Sequence, residues 1–167
     1  IAARIPGLNL RIASVYVPNG QSIDSDKYAY KLRWLRRFRE HLHRHFSPTE
    51  PLLLGGDYNI APDDNDVYDP AGWRDTVICH DDARKALADI VDFGLFDSLR
   101  QVEPSAKIYT YWDYRQLAFP KNQGLRIDHL FCTAPLRDRC IAARVDRDAR
   151  KGEKPSDHAP LLVTFRR

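Results

Sequence analysis

The stretch PLLLGGD, residues 51–57, is the feature that most constrains the fold. Its continuous apolar run is short and is typical of a strand buried on both faces of a sheet. Ile60-Ala61-Pro62 ends the run, and Gly55 and Gly56 leave room for another backbone or a ligand to approach closely. We therefore expect a sheet with this strand in its interior.

The remaining segments predict a single α+β domain over residues 1–167. Their order is mixed, without the strict alternation of strand and helix that a parallel sheet requires. Residues 63–80 read as a loop rich in Asp, Pro and Gly. Further strands are expected at 1–5 and 8–17, as a hairpin turning at Pro6-Gly7, and at 107–115, 125–133, 141–145 and 160–165.

Two amphipathic helices are predicted from the spacing of apolar residues. Ser25 or Asp26 caps the first, Asp81 or Asp82 caps the second, and Gly94 stops the second. The inward positions are Leu32, Leu35, Phe38, Leu42 and Phe46 in the first helix, and Ala83, Leu87, Ile90 and Val91 in the second.

The outer side of the first helix carries Arg33, Arg36, Arg37, Glu40 and Arg44. A nucleic-acid contact is one interpretation of such a basic face. A solvated face with i,i+4 pairs such as Arg36–Glu40 is the commoner explanation, and we adopt it here.

Composition limits the classes of function. The chain is 43% hydrophobic and 29% charged, as expected for a soluble domain, and no apolar run approaches the roughly 18 residues of a membrane span. A formal charge of +3 is compatible with a polyanionic partner without establishing one. Three cysteines at unrelated spacings fit no disulfide framework, which predicts a reducing cytoplasm. A start at Ile1 with no Met predicts a piece of a longer protein.

Asp57 and Asn59 carry the strongest chemical signal. Side chains two residues apart on a strand project to the same side, so both point from the carboxyl end of the central strand. A carboxylate and an amide aimed at one point suit a hard cation or a water beside a phosphate. An Asx turn that satisfies its own backbone is an equally good explanation.

Asp128 and the pair Asp157-His158 form a second signal. Asp128 lies inside an apolar strand, where a carboxylate is costly to bury unless it is paired. His158 lies in a loop before a core strand, and it would repay that cost while being oriented in return. A structural Asp–Arg pair and an ordinary loop histidine are the alternatives.

Aromatic residues add two weaker signals. Tyr16 ends a strand at the same kind of edge, where a phenol suits a phosphate oxygen. The aromatic run at 109–115 suits stacking on a base or sugar, although each of these residues is by itself more often part of a core.

In this order, the motifs resemble exonuclease III, the bacterial DNA-repair branch of the endonuclease/exonuclease/phosphatase superfamily. The resemblance runs from about residue 5 to the C-terminus. The motifs are YVPNG with Tyr16, GGDYNIAP with Asp57 and Asn59, GLFDSLR at 94–100, YWDYR with Trp112, GLRIDHLF with Asp128, and PSDHAP with Asp157 and His158. The WDYR and RIDHLF blocks favour exonuclease III over the lipid phosphatases of the superfamily.

The resemblance implies a metal-dependent nuclease that acts on double-stranded DNA at 3′ ends and abasic sites. It implies catalytic roles for Tyr16, Asp57, Asn59, Asp128 and His158. Asp57 would deprotonate water, Asn59 would position it, Asp128 would orient His158 toward the phosphate, and Tyr16 would donate to a phosphate oxygen.

The resemblance also implies ligands for metal and DNA. Asp57, Asn59 and Asp157 would contribute to a Mg²⁺ site, with Mn²⁺ as a substitute. Trp112 and Arg115 would contact DNA. It further implies part of a four-layer α/β-sandwich of the DNase I type.

The metal-binding Glu and the first strands of the family pattern have no counterpart in this sequence. We therefore expect a C-terminal portion with weak or absent activity that self-associates through exposed sheet surface. A relative acting on phospholipid or inositol phosphates and a non-catalytic binding module are the alternative functions.

Overall fold

The computed structural model describes residues 1–166 and builds them around a five-stranded mixed sheet. The strand order is β1-β2-β3-β5-β4, and β2 and β3 run parallel while the other neighbours are antiparallel. A sheet of this kind confirms the predicted α+β class. The strands are β1 Ala2–Ile5, β2 Leu10–Tyr16, β3 Leu52–Asp57, β4 Leu95–Asp97 and β5 Asp128–Thr133.

Helices cover this sheet, and a second, two-stranded antiparallel sheet lies against α4 and β5. Its strands are β6 Cys140–Val145 and β7 Leu161–Phe165. The helices are α1 Asp26–His45, α2 Pro70–Trp73, α3 Asp81–Val91, α4 Ser98–Val102 and α5 Ala134–Arg137. No helix among residues 1–166 is both long and apolar enough to cross a membrane.

Helix α1 forms as its sequence predicts. The Ser25 side chain accepts a hydrogen bond from the backbone N–H of Tyr28 and caps the helix. Leu35 and Leu42 are fully buried against the core that α1 shares with α3 and the sheet. The helix ends at His45 because Phe46 adopts an extended conformation.

Several boundaries differ from the sequence predictions. Residues 107–115 are not a strand and make only isolated bridges through Tyr111, to Leu125 and His158. The strand predicted from residue 125 begins at Asp128, and the three-residue β4 was missed because it is too short to show periodicity.

The surroundings of β3 and the cap of α3 also correct the predictions. Leu52 and Leu54 are buried but Leu53 is only half-buried, so a single face of β3 is fully covered. His80 rather than Asp81 or Asp82 caps α3, because its Nδ1 accepts from the Asp82 backbone N–H.

Candidate active site

Three neighbouring strands bring Tyr16, Asp57 and Asp128 to one level of the sheet. Tyr16 is the cross-strand partner of Asp57 between β2 and β3, and Asp128 is its partner between β3 and β5. Directly opposed residues project to the same face, about 5 Å apart between Cβ atoms. Asp57 therefore lies between an exposed phenol and a second carboxylate.

Gly56 makes this close alignment of β2 and β3 possible. Its φ is +142°, and a Cβ built at this position would lie 1.9 Å from the Val15 carbonyl oxygen. Any side chain would push the parallel strands apart. The predicted close approach of another backbone is thus a contact with β2.

Asp128 and His158 form the predicted pair. His158 Nδ1 lies 2.8 Å from Asp128 Oδ2, and the ring stacks at a tilt 5.1 Å from Tyr111. Because an ionised carboxylate only accepts, Nδ1 carries the shared proton, and Nε2 takes no part in this contact. The hydrogen bond from the histidine to Asp128 raises the pKa of His158, although burial opposes it.

Asn59 holds Asp57 in place through two hydrogen bonds. Its backbone N–H donates to Asp57 Oδ1 at 2.8 Å, and its Nδ2 donates to Asp57 Oδ2 at 3.0 Å. Nδ2 also donates to the Val17 carbonyl, and Oδ1 accepts from Asn19 Nδ2. Asn59 reaches this position with a left-handed φ of 49°. The Asx-turn alternative is therefore part of the site rather than a competitor to it.

Burial raises the pKa of Asp57 from an ordinary value of 3.8 to about 6. The hydrogen bond from Asn59 opposes this rise, the nearby Asp128 carboxylate adds to it, and His158 and Lys31 reduce it. A carboxyl group that titrates near neutrality is well suited to act as a general base.

Lys31 is the residue that the sequence reasoning missed. Its Nζ donates to the backbone carbonyls of Asn59 at 2.7 Å, Val77 at 2.7 Å and Asn19 at 3.1 Å, and the residue is fully buried. Burial lowers the pKa of Lys31 to about 7, while Asp57 opposes the shift. The available signal was a lysine four residues before Leu35, on the apolar face of α1.

The predicted metal ligands do not form a complete site by themselves. Both Asp57 oxygens and both polar ends of the Asn59 amide already have hydrogen-bond partners. Over residues 1–166 no group of three or more His, Cys, Asp or Glu side chains could hold a metal ion. The described side chains therefore do not fit a full Mg²⁺ site.

The structure corrects the DNA-stacking role expected for Trp112. The residue is 1% exposed, packs edge-on against Tyr109 and Phe119, and donates from Nε1 to Asn122 Oδ1 at 3.3 Å. Its ring is part of a small core, so neither face is open to a base. The aromatic density of this segment reflects packing.

Arg115 remains available as a DNA contact. Its side chain is 85% exposed and forms a two-point pair with Asp113. Arg115 lines a groove of about 300 Å³ together with Tyr111, whose ring touches His158. The backbone carbonyl of Asp157 accepts from the Trp112 N–H, which fixes the loop that carries His158.

Comparisons with known proteins agree with this geometry. Residues 3–158 match the model of the Endonuclease/Exonuclease/phosphatase family. The chain is 33% identical to exodeoxyribonuclease III of Haemophilus influenzae, over 94% of this chain and 62% of that protein.

Solved structures give the same result. An AP endonuclease from Archaeoglobus fulgidus superposes with a TM-score of 0.95 at 39% identity, over 98% of this chain and 63% of the other. A 3′ phosphatase from Neisseria bound to a product DNA hairpin gives 0.92 at 38% identity, over 99% and 63%. The chain thus spans less than two thirds of the length of these relatives. By sequence and by structure, the chain belongs to the Endonuclease/Exonuclease/phosphatase family and resembles its exonuclease III and AP endonuclease members.

Proposed function

We propose that this chain carries the catalytic pocket of a DNA repair nuclease that hydrolyses phosphodiester bonds in double-stranded DNA. The observation that carries the proposal is the convergence of Asp57, Asp128 and His158 on one sheet edge. Similarity to exonuclease and AP endonuclease proteins supports DNA with an abasic site or a 3′ end as substrate.

Each polar group has a defined part in the proposed reaction. Asp57 accepts a proton from the attacking water, whose oxygen forms the new bond to phosphorus. The bond to the leaving oxygen breaks, and this oxygen keeps the electron pair and takes a proton from solvent. Asn59 keeps the Asp57 carboxylate oriented toward that water. His158, held through Nδ1 by Asp128, presents Nε2 to the phosphate, and Tyr16 donates its hydroxyl proton to a phosphate oxygen.

A divalent cation, Mg²⁺ or Mn²⁺, belongs to the proposal because of the family resemblance. When bound, it would neutralise charge that develops on the phosphoryl oxygens. Asp57, Asn59 and Asp157 stay the predicted ligands. Since the described side chains do not make a complete site, we expect the chain alone to be a weak nuclease.

Three further parts of the proposal rest on sequence reasoning. They are a single domain over residues 1–167, a cytoplasmic location and self-association. Exposed apolar residues on the β6–β7 hairpin, with Ile141 57% and Leu162 41% exposed, support self-association. Sedimentation velocity at several concentrations tests it.

A single-turnover assay tests the proposed activity, because excess protein makes a weak reaction visible. The chain is mixed with a labelled duplex that contains one abasic site, in Mg²⁺ or Mn²⁺. Full-length Haemophilus influenzae exodeoxyribonuclease III serves as the positive control. We expect cleavage at the abasic site that is slower than the control by at least tenfold and is lost on Asp57→Asn substitution.

Two substrates distinguish the alternatives. A duplex ending in a 3′ phosphate tests phosphatase activity, a second candidate that is favoured by the 38% identity to the Neisseria 3′ phosphatase. An inositol phosphate tests a headgroup hydrolase. Turnover of the inositol phosphate in preference to both duplexes would contradict the proposal, and a rate equal to the control would contradict the expected weakness.

A further inference from the structure

The outer face of α1 carries four arginines that the proposed chemistry does not use. We define Arg33, Arg36, Arg37 and Arg44 as the arginine stripe, and all four are exposed. With 3.6 residues per turn, they fall within about 100° of arc. The buried Leu35 and Leu42 lie on the opposite side of the helix.

Charge is concentrated in this segment. Residues 33–44 contain five arginines and one glutamate, a formal charge of +4, whereas the whole chain carries +3. The rest of the chain therefore carries a formal charge of −1. Without Arg39, which lies on another face, the four stripe arginines and Glu40 carry +3, equal to the charge of the whole chain, as expected of a polyanion-binding surface.

The stripe arginines are also unpaired, unlike most arginines that line the rest of the surface. Within the part of the chain that the structure describes, none of the four makes an ion pair or a side-chain hydrogen bond, and the predicted Arg36–Glu40 pair does not form. By contrast, Arg84 pairs with Asp64 at 2.9 Å. The four guanidinium groups are thus available for phosphate.

The stripe leads away from the catalytic edge. Lys31, two residues before it, contacts the Asn59 carbonyl, whereas the end of α1 receives a hydrogen bond from Arg11 at the His45 carbonyl. From Arg33 to Arg44 the helix rises about 16 Å. That length matches roughly five base-pair steps of duplex DNA.

We propose that the arginine stripe binds backbone phosphates of a DNA segment other than the one held in the catalytic pocket. The inference rests on the proposed function only for the choice of DNA as the polyanion. An anionic lipid surface matches the charge but fits less well, because Trp34 and Phe38, the apolar residues beside the stripe, are partly buried against the core.

Anisotropy of a fluorescein-labelled, intact 20-base-pair duplex tests the stripe in EDTA, where no cleavage is needed. The stripe variant combines Arg33→Gln, Arg36→Gln and Arg37→Gln. The control combines Arg4→Gln, Arg74→Gln and Arg144→Gln, which removes the same charge from exposed positions elsewhere.

We expect the stripe variant to bind at least about tenfold more weakly than the control at 50 mM salt. Because each lost phosphate contact changes the slope of log K against log salt by about 0.9, that slope should fall by about 2.7 in the stripe variant. Equal losses in both variants would overturn the proposal, since net charge alone would then explain them.

Glu40 supplies a second test that does not depend on loss of function. It lies within the arc of the stripe and repels phosphate, so Glu40→Gln should tighten duplex binding about threefold. Glu103→Gln, an exposed change elsewhere, should leave binding unchanged. No gain from Glu40→Gln, or tighter binding to vesicles containing anionic phospholipid than to the duplex, would overturn the proposal.

The outcome is separable from that of the cleavage assay. Duplex binding is measured in EDTA and cleavage in Mg²⁺ or Mn²⁺, so each proposal has its own readout. If the chain binds the duplex through the stripe but does not cleave, the proposed nuclease function is wrong and the stripe proposal stands. If the chain cleaves but the stripe variant binds like its control, the stripe proposal is wrong and the nuclease function stands.

Discussion

Two of the regions in which the protein buries charged side chains treat them differently. Behind the sheet, Arg126 Nε lies 2.6 Å from Asp66 Oδ1 and its Nη1 lies 2.5 Å from Asp97 Oδ2, while Arg100 also pairs with Asp66. At the catalytic edge, both Asp57 oxygens accept hydrogen bonds from the uncharged groups of Asn59.

The pKa directions separate the two regions. Burial raises the pKa of Asp66, but hydrogen bonds from Arg126 and Arg100 outweigh it and hold the pKa below its usual value. Burial lowers the pKa of Arg126, but Asp97 and Asp66 raise it overall. For Asp57, burial prevails and the pKa rises to about 6.

The difference shows which buried charges serve the fold and which serve the reaction. A charge with full opposite partners is fixed in one ionisation state and stabilises only the structure. A carboxylate held by neutral donors stays close to its titration point and can exchange a proton. Four substitutions test this contrast.

The largest effect is expected for Asp57→Asn, which removes the proposed base. Single-turnover cleavage of the abasic duplex should fall by about 10³-fold. Unfolding in urea at pH 7 should show a variant that is at least as stable as the unchanged chain. A large fall in the free energy of unfolding with little change in the cleavage rate would show that Asp57 serves the fold and not the reaction.

The difference in stability between the Asp57→Asn variant and the unchanged chain should depend on pH. Because the folded pKa of about 6 exceeds the ordinary 3.8, the folded chain binds this proton more tightly than the unfolded chain. The unchanged chain should therefore lose stability as the pH rises from about 4 to 6, and Asp57→Asn should not show that loss.

Arg126→Met, unlike Asp57→Asn, should lower the stability of the fold. It leaves Asp97 without its arginine and Asp66 with only Arg100, so we expect the free energy of unfolding to fall by about 3–5 kcal/mol. Arg115→Gln, which breaks an exposed pair with Asp113, should cost less than about 1 kcal/mol. Urea titrations of both variants make the comparison, and similar losses would contradict it.

Lys31→Met tests a buried charge that contacts the Asn59 carbonyl at the catalytic edge and also holds two other backbone carbonyls in the fold. It keeps the volume of the stem but leaves three buried carbonyls without their donor, which should cost about 1–3 kcal/mol of stability. Lys85→Met, in an exposed pair with Asp89, should be nearly neutral. The loop that carries Asn59 should also exchange amide hydrogens faster in Lys31→Met, and unchanged exchange would argue against a positioning role.

The smallest effect is expected for Asp128→Asn on the pH dependence of the residual rate. The hydrogen bond to Asp128 raises the pKa of His158, so the imidazolium persists to higher pH in the unchanged chain. Removing the carboxylate should move the alkaline fall of the rate to lower pH. An alkaline limb at the same pH in both proteins would show that His158 does not titrate in the reaction.

The sequence predicted the site where local rules place side chains. The two-residue period of a strand predicted that Asp57 and Asn59 project to the same side. The free-energy cost of burying the Asp128 carboxylate predicted a partner for it, and His158 was the candidate. Resemblance to exonuclease III joined these separate signals into one reaction, and the geometry keeps them together.

The failures have a common physical cause. Whether Trp112 stacks on DNA or on protein depends on how its ring packs against Gly124, Tyr109 and Phe119, which the sequence does not show. Lys31 was missed because its three acceptors, the carbonyls of Asn19, Asn59 and Val77, come from three different loops. Tertiary contacts decide both cases, and neither leaves a periodic pattern.

The pairing of His158 with Asp128 has a consequence for the whole architecture. His158 precedes β7 of the small sheet, whereas Asp128 begins β5 of the large one, so a single 2.8 Å contact spans two sheets that share no strand. The rate of hydrolysis therefore depends on how closely the β6–β7 hairpin packs against the large sheet. Changes that loosen the hairpin should slow the reaction while circular dichroism still records an intact protein.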